Sequence, residues 1–394
     1  MKFKDEPLLD DDFVNRNVWV SSWALSIALL GDALLYVILP VNADAFGLSM
    51  AAVGFLLAIN RIIRTFTYGL ILGLGRALGT KRLALIASSF AAISTLCYGI
   101  TDGVFFLSLS RVAWGLSYAG LLIVTLHYAS LNVSKTGTRI GTSRSIEQVG
   151  PLLVMVVGTW AASWVGPQTI FIYVGFVSAL AVLLAYFLIE LDEAEKPSKK
   201  TSKTFSVPRP KPIDSLIFWM GFGIDGVFTV TIGLMWVQYS SPEAAIIIGG
   251  LILSIRRTGE MIIAPISGKI SDKFGEKSPL LVMLFLCGFG FLLVGTGHLI
   301  MGSVAIVICR GALGTLFPSA ASKLHQNDRM TALTRNQTWR DIGAAAGPLL
   351  TGVLLGLISA EMIHLLMLGL FAITSCWFFA SGDFKRLSQL HLPD

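Results

Sequence analysis

The chain repeats itself. Ile59, Arg61, Arg76 and Gly79 return as Ile255, Arg257, Asp272 and Gly275, about half the chain further on. The same register holds on either side of that block. Asp32 matches Asp225, Arg111-x-x-x-Gly115 matches Arg310-x-x-x-Gly314, and Gly150-Pro151-Leu152-Leu153 matches Gly347-Pro348-Leu349-Leu350. Landmarks that keep their order and spacing over so long an interval mean two copies of one folding unit in tandem. Whatever fold the first copy adopts must also suit the second.

Composition decides the solvent. With 54% hydrophobic and 14% charged residues and a mean hydropathy of +0.73, a chain of 394 residues has too little polar surface to cover a water-soluble domain. The expected solvent is a bilayer, whose hydrocarbon layer takes about 20 residues of helix to cross. About twelve apolar runs of that length occur, near 18–40, 49–74, 83–101, 104–128, 141–163, 168–189, 214–238, 244–267, 280–298, 303–322, 338–358 and 362–381. The first follows an acidic stretch, Asp10-Asp11-Asp12, without a small-residue cleavage site, so it is expected to stay as a helix. The expected fold is an all-α membrane protein of about twelve transmembrane helices. It divides into six-helix bundles over 1–189 and 214–394, joined by a linker over 190–213. Internal symmetry in so apolar a chain points to a transporter working as a monomer on a small-molecule substrate.

Basic residues set the expected orientation. Seven arginines, Arg61, Arg64, Arg111, Arg256, Arg257, Arg310 and Arg340, are expected to be buried; the others gather in the tails or in and beside the segments after even-numbered runs. By the positive-inside rule those segments and both termini are cytoplasmic, in an inner membrane. The formal net charge of +6 is accounted for by these loops and calls for no nucleic acid. Lys199, Lys200, Lys203 and Arg209 make the linker a polar tether that could touch anionic lipid heads. Cys97, Cys287, Cys309 and Cys376 stand singly, with no metal or disulfide spacing. There is no phosphate-cradling glycine loop, so ATP is not the expected energy source, and no cofactor, metal or enzyme chemistry is expected.

The segment Gly268-Lys269-Ile270-Ser271-Asp272-Lys273-Phe274-Gly275-Glu276-Lys277 resembles the signature loop of the major facilitator superfamily, and the resemblance extends over essentially the whole chain. In that family the loop gates between conformations, which assigns Gly268, Asp272, Lys273, Gly275 and Lys277 to a gate. The first copy departs from the pattern, because Arg76 stands where the acid belongs. Arg111-x-x-x-Gly115 resembles the family element associated with proton transfer in exporters. Gly150-Pro151, and more closely Gly347-Pro348 within Gly343–Gly352, resemble its antiporter signature, in which glycine permits close helix contact and proline bends the helix. The resemblance implies a proton-coupled antiporter with two six-helix bundles around a central cavity.

The placement of charge agrees without help from any family. Runs three, six, nine and twelve carry no charged side chain in their interiors. A charge facing lipid at mid-depth costs on the order of 3 kcal/mol, so charge-free runs can lie outside while the others must face protein or water. Asp32, Asp225, Glu147, Glu260 and Asp341 are the embedded acids, and hence the candidates for proton coupling; a permanent ion pair is the alternative for each. Glu147 and Glu260 each have an arginine three residues earlier, Arg144 and Arg257, close enough on a helix to pair. The seven embedded arginines outnumber these five acids, and arginine grips carboxylate or phosphate bidentately. The arginines, with Tyr36, Trp114 and Tyr118, are therefore the candidate substrate residues, for a small amphipathic or anionic molecule such as a drug, a metabolite or a carboxylate siderophore. Export by alternating access is the leading reading. Proton-coupled import, facilitated passage of an organic anion, a lipid flippase and a membrane sensor are the alternatives.

Overall fold

The structure, a computed structural model, describes residues 10–190, 207–239 and 242–389. It divides into two compact units, Met1–Ser206 and Val207–Asp394. The lysines of the expected linker, Lys199, Lys200 and Lys203, lie outside the described residues.

The first unit runs α1 (Asp11–Val41), α2 (Met50–Leu78), α3 (Thr80–Ile100) and α4 (Val104–Ala129). Helix α5 starts as Thr136–Leu153 and continues through a π turn, Val154–Gly158, into Thr159–Val165. Helix α6 comprises Thr169–Ser178 and Leu180–Tyr186. In the second unit α7 begins as Pro212–Met220, passes through a π stretch, Gly221–Phe228, and ends as Thr229–Trp236. It is followed by α8 (Pro242–Phe274), α9 (Lys277–Gly295), α10 (Leu299–Leu324), α11 (Arg329–Leu354), α12 (Ala360–Ala380) and the short polar α13 (Gly382–Gln389).

Among the described residues ten helices are long and apolar enough to cross a membrane, and the long helices α8 and α11 are not among them. The helices outrun the apolar stretches that announce them. Helix α1 starts at Asp11 rather than near residue 18, and α11 at Arg329 rather than near residue 338. Backbone hydrogen bonding does not stop where hydrocarbon stops, so polar turns such as Asp11–Asn17 extend the rod beyond the apolar layer.

Those polar ends fasten helices together. At the start of α1, Asp11 accepts hydrogen bonds from Lys135 at 2.5 Å and from Arg139 of α5 at 2.6 Å. At the start of α7, fully buried Asp214 pairs with Arg335 of α11. Each unit thus ties its first helix to its fifth by an acid–arginine strap, a correspondence hidden from sequence because Asp11 and Asp214 look like boundary residues.

Further along the α7–α11 pair the backbones nearly touch. A Cβ built on Gly343 would lie 2.1 Å from the Phe218 carbonyl oxygen, and one on Gly347 2.5 Å from that of Phe222. Only glycine fits, as the Gly-Pro pattern implies. In the first unit Gly150 meets Ser26 in the same way, its N–H donating to the Ser26 hydroxyl at 2.9 Å.

Large apolar side chains point outward from the helices whose interiors carry no charge: Phe90 and Ile93 on α3, Phe176 and Leu183 on α6, Phe285 and Phe289 on α9, Ile373 and Trp377 on α12. The charge rule needs one refinement. Helices α5 and α11 bury their charged first halves, yet beyond Pro151 and Pro348 they expose Val156 and Trp160, and Leu349 and Val353. Charge places a segment of a span rather than the whole of it.

Candidate functional site

In the first unit the polar centre is assembled by α1, α2 and α4. Arg111 is sealed from solvent, whereas the side chain of its ion-pair partner Asp32 is 15% exposed. Arg111 also donates through Nε to the Leu56 carbonyl at 2.9 Å, and its guanidinium lies 5.5 Å from the Tyr36 ring centroid. Asn60 gives Asp32 a second donor at 3.4 Å. Gly115 explains the spacing of the Arg-x-x-x-Gly element. A Cβ there would come within 2.8 Å of the Asn60 carbonyl oxygen, so the glycine lets α4 close on α2 one turn beyond the arginine.

A second polar group adjoins this one. Arg144 bonds Glu147 at 2.9 Å, the local pair that their spacing allows. Tyr118 donates to Glu147 at 3.3 Å, and the Arg64 guanidinium lies 4.4 Å from the Tyr118 ring centroid. Trp114, 1% exposed, stacks obliquely on Tyr118 with ring centroids 6.2 Å apart. It packs here rather than lining an open wall. Arg61 is half-buried on α2.

The second unit uses the corresponding helices but a different balance of charge. Asp225 accepts from Arg310 of α10 at 2.7 Å and lies 3.0 Å from Arg256 of α8 and 3.4 Å from Arg340 of α11. Arg310 also holds Glu260 at 3.1 Å, a long-range partner that the local spacing to Arg257 does not suggest. Arg257 is half-buried on α8 and Asp341 is buried on α11. Asp225 lies inside the π stretch of α7, where the widened turn displaces side chains from regular helical positions; such stretches recur at functional sites. Asp32 has no such feature, since α1 is continuous around it.

The loop between α8 and α9 is locked by a residue outside its own motif. Lys323 of α10 bonds Asp272 at 3.1 Å and Glu276 at 2.5 Å, and Glu276 also accepts from Ser271 at 2.9 Å and Ser319 at 3.0 Å. Gly268 lies within α8, and Gly275 turns the chain at φ +77°, in the left-handed region. Lys273 and Lys277 rest over the rings of Phe274 and Phe384. Beside the loop between α2 and α3, hydroxyl groups bond one another and Lys81 lies 5.0 Å from the Tyr186 ring centroid. Tyr128 donates to the Ile189 carbonyl at 2.8 Å and so accepts from the Thr80 hydroxyl at 3.2 Å.

Sequence reasoning missed Asn60, Glu276 and Lys323. Asn60 had a signal, being a polar side chain inside an apolar run next to the repeat landmark Arg61. Lys323 had none, because a lysine closing a span reads as a loop charge. Among the described residues no group of His, Cys, Asp and Glu could hold a metal ion.

The description Major Facilitator Superfamily matches residues 22–255 and 215–390. The chain is 26% identical over 300 residues to the multidrug resistance protein MdtG of Klebsiella pneumoniae (strain 342), an alignment spanning 71% of each protein. It is 24% identical over 331 residues to the uncharacterized MFS-type transporter YuxJ of Bacillus subtilis (strain 168), covering 79% of this chain and 81% of that one. Among solved structures the human organic anion transporter MFSD10 (TETRAN) superposes with a TM-score of 0.75 at 16% identity, over 93% of this chain and 99% of its own, a likeness of fold alone. The chain belongs to the major facilitator superfamily: it is a multi-pass membrane transporter and not an enzyme.

Proposed function

We propose that this member of the major facilitator superfamily is a proton-coupled exporter of a small amphipathic or anionic molecule, and that Asp32 is the group that loads and releases the proton. One observation carries the reading. A sealed guanidinium is paired with a carboxylate that solvent can reach, at mid-span. A charge exposed to hydrocarbon is costly, so the exposed edge of Asp32 must face water, from which a proton can arrive.

Protonation neutralises Asp32 and cancels most of its attraction for Arg111. The guanidinium keeps the Leu56 carbonyl of α2, so the proton weakens the α1–α4 contact more than the α2–α4 contact. A proton thereby changes which helices are held together, which is what coupling to alternating access requires. Glu147, braced by Arg144 and Tyr118, is a second acid able to relay the proton. The Lys323–Asp272–Glu276 network serves as the gate, broken and remade once per cycle. Export rests on the multidrug resistance relatives, which share about a quarter of their aligned residues with this chain. The distribution of basic residues supports cytoplasmic termini in an inner membrane, and we read the working unit as a monomer.

The test is Asp32→Asn in proteoliposomes loaded with amphipathic and anionic probes. Uphill, proton-driven efflux should be abolished and counterflow retained. Undiminished proton-driven efflux in that variant would remove Asp32 from the mechanism.

A further inference from the structure

The two polar centres differ in which charge reaches water. In the first unit the carboxylate is open and the guanidinium sealed, with side-chain exposures of 15% for Asp32 and 0% for Arg111. In the second, Arg310 is again the more buried partner, at 6% against 10% for Asp225, but two further cations, Arg256 and Arg340, are 18% and 15% exposed and are the most open members of the group. Facing hydrocarbon would cost these cations dearly, so their open edges meet water. Asp225 is also over-supplied. One arginine can satisfy a carboxylate bidentately, yet Arg256, Arg310 and Arg340 all reach this one. Glu260 shares Arg310 with it, so the ion pairs link these three arginines to two acids.

We propose that Arg256 and Arg340 form the seat for the substrate's anionic group, an organic carboxylate, and that Asp225 is a resident counter-ion occupying that seat until the substrate's carboxylate replaces it. This rests on the transport reading above and specifies the substrate class. Asp225 is suited to yield the seat. It lies in a π stretch between Gly223 and Gly226, and tightening one widened turn to regular α geometry rotates its side chain about the helix axis. Arg310 stays behind with Glu260, so the group keeps an internal ion pair after the exchange. An incoming carboxylate then finds two guanidinium forks from different helices, α8 and α11. An exporter gains from such an arrangement, since a site never left as bare buried cations costs little to keep empty.

The experiment measures equilibrium binding of 1-naphthoate, with neutral 1-naphthamide as the isostere, to the purified full chain in lipid nanodiscs without a proton gradient. Wild type should bind naphthoate in preference to naphthamide. Arg256→Gln and Arg340→Gln should each weaken naphthoate by about tenfold, the change expected for one lost charge-assisted hydrogen bond, and leave naphthamide unchanged. Asp225→Asn should tighten naphthoate binding, because it removes the competing anion. Thermal melting checks that each variant folds. If Asp225→Asn fails to fold, the milder Asp225→Glu should still change naphthoate affinity and not that of naphthamide. Weaker or unaltered naphthoate binding in a folded Asp225→Asn protein overturns the proposal, as does equal binding of naphthamide or no naphthoate binding at all. Proton coupling is read separately, from efflux in Asp32→Asn, so either idea can fail while the other stands.

Discussion

The two units place an aspartate and an arginine on the same helices and surround them differently. Asp32 and Arg111 form a closed pair in which the cation is the buried member. Asp225 and Arg310 belong to a wider group in which further cations from α8 and α11 reach the open edge. The loops diverge too, with ions at Asp272, Glu276 and Lys323 but hydroxyl groups at Thr80 and Tyr128. Duplication therefore preserves which helices meet more faithfully than it preserves the sign of the charge they present. A tandem transporter can thus divide one ancestral polar centre into two tasks.

Mutation can test that division. The largest contrast is expected between Arg111→Ala and Arg310→Ala. Removing Arg111 leaves Asp32 with Asn60 alone, and breaking a buried pair costs about 3 to 5 kcal/mol. Removing Arg310 leaves Asp225 with Arg256 and Arg340; with Glu260→Gln added, so that buried Glu260 is not stranded without its partner, the loss should be less than half as large. Melting temperatures in one detergent compare the two; equal losses would mean that the units are not specialised.

A smaller contrast concerns the loops. Lys323→Gln should cost about 2 kcal/mol, because Glu276 and Asp272 lose a shared cation, against about 1 kcal/mol for the hydroxyl removed by Tyr128→Phe. Only the Lys323 variant should change the salt dependence of transport.

The smallest effect is one of pH. His325, at the end of α10, donates from Nδ1 to the Ala321 carbonyl and presents Nε2 to Lys211, so it must be neutral. Burial, then the Lys211 charge, holds its proton affinity below the ordinary value of 6.5. The unfolded chain therefore binds the proton more readily. Stability from this group is present above about pH 6.5 and is lost as pH falls below it. His325→Asn should flatten the melting-temperature profile below about pH 6.5; an unchanged slope would show that Lys211 does not sense this ring.

The parts of this molecule legible in the sequence are those that the bilayer enforces. Helix existence followed from apolar runs, and the repeat matched Asp32 to Asp225 and Arg111 to Arg310 without saying that each acid pairs with the arginine of its own unit. The illegible parts depend on side-chain reach and helix register. Arg340 and Asp341 are neighbours in sequence, and only the packing of α11 on α7 shows that Arg340 joins Asp225. No apolar pattern reveals that α7 widens into a π stretch around that acid. Helix ends such as Asp11, Asp214 and Lys323 were misjudged because hydropathy falls off before the helix does.

The straps from Asp11 to Arg139 and from Asp214 to Arg335 bear on how such a bundle can deform. Two rods clamped together at one tip, and softened part-way along by a π segment or a proline, behave as a tuning fork: the clamped tips stay in step while the far prongs splay. Within either unit the helices joined this way should open at the end away from the strap, and a crosslink across the far prongs should arrest more motion than one placed beside the clamp.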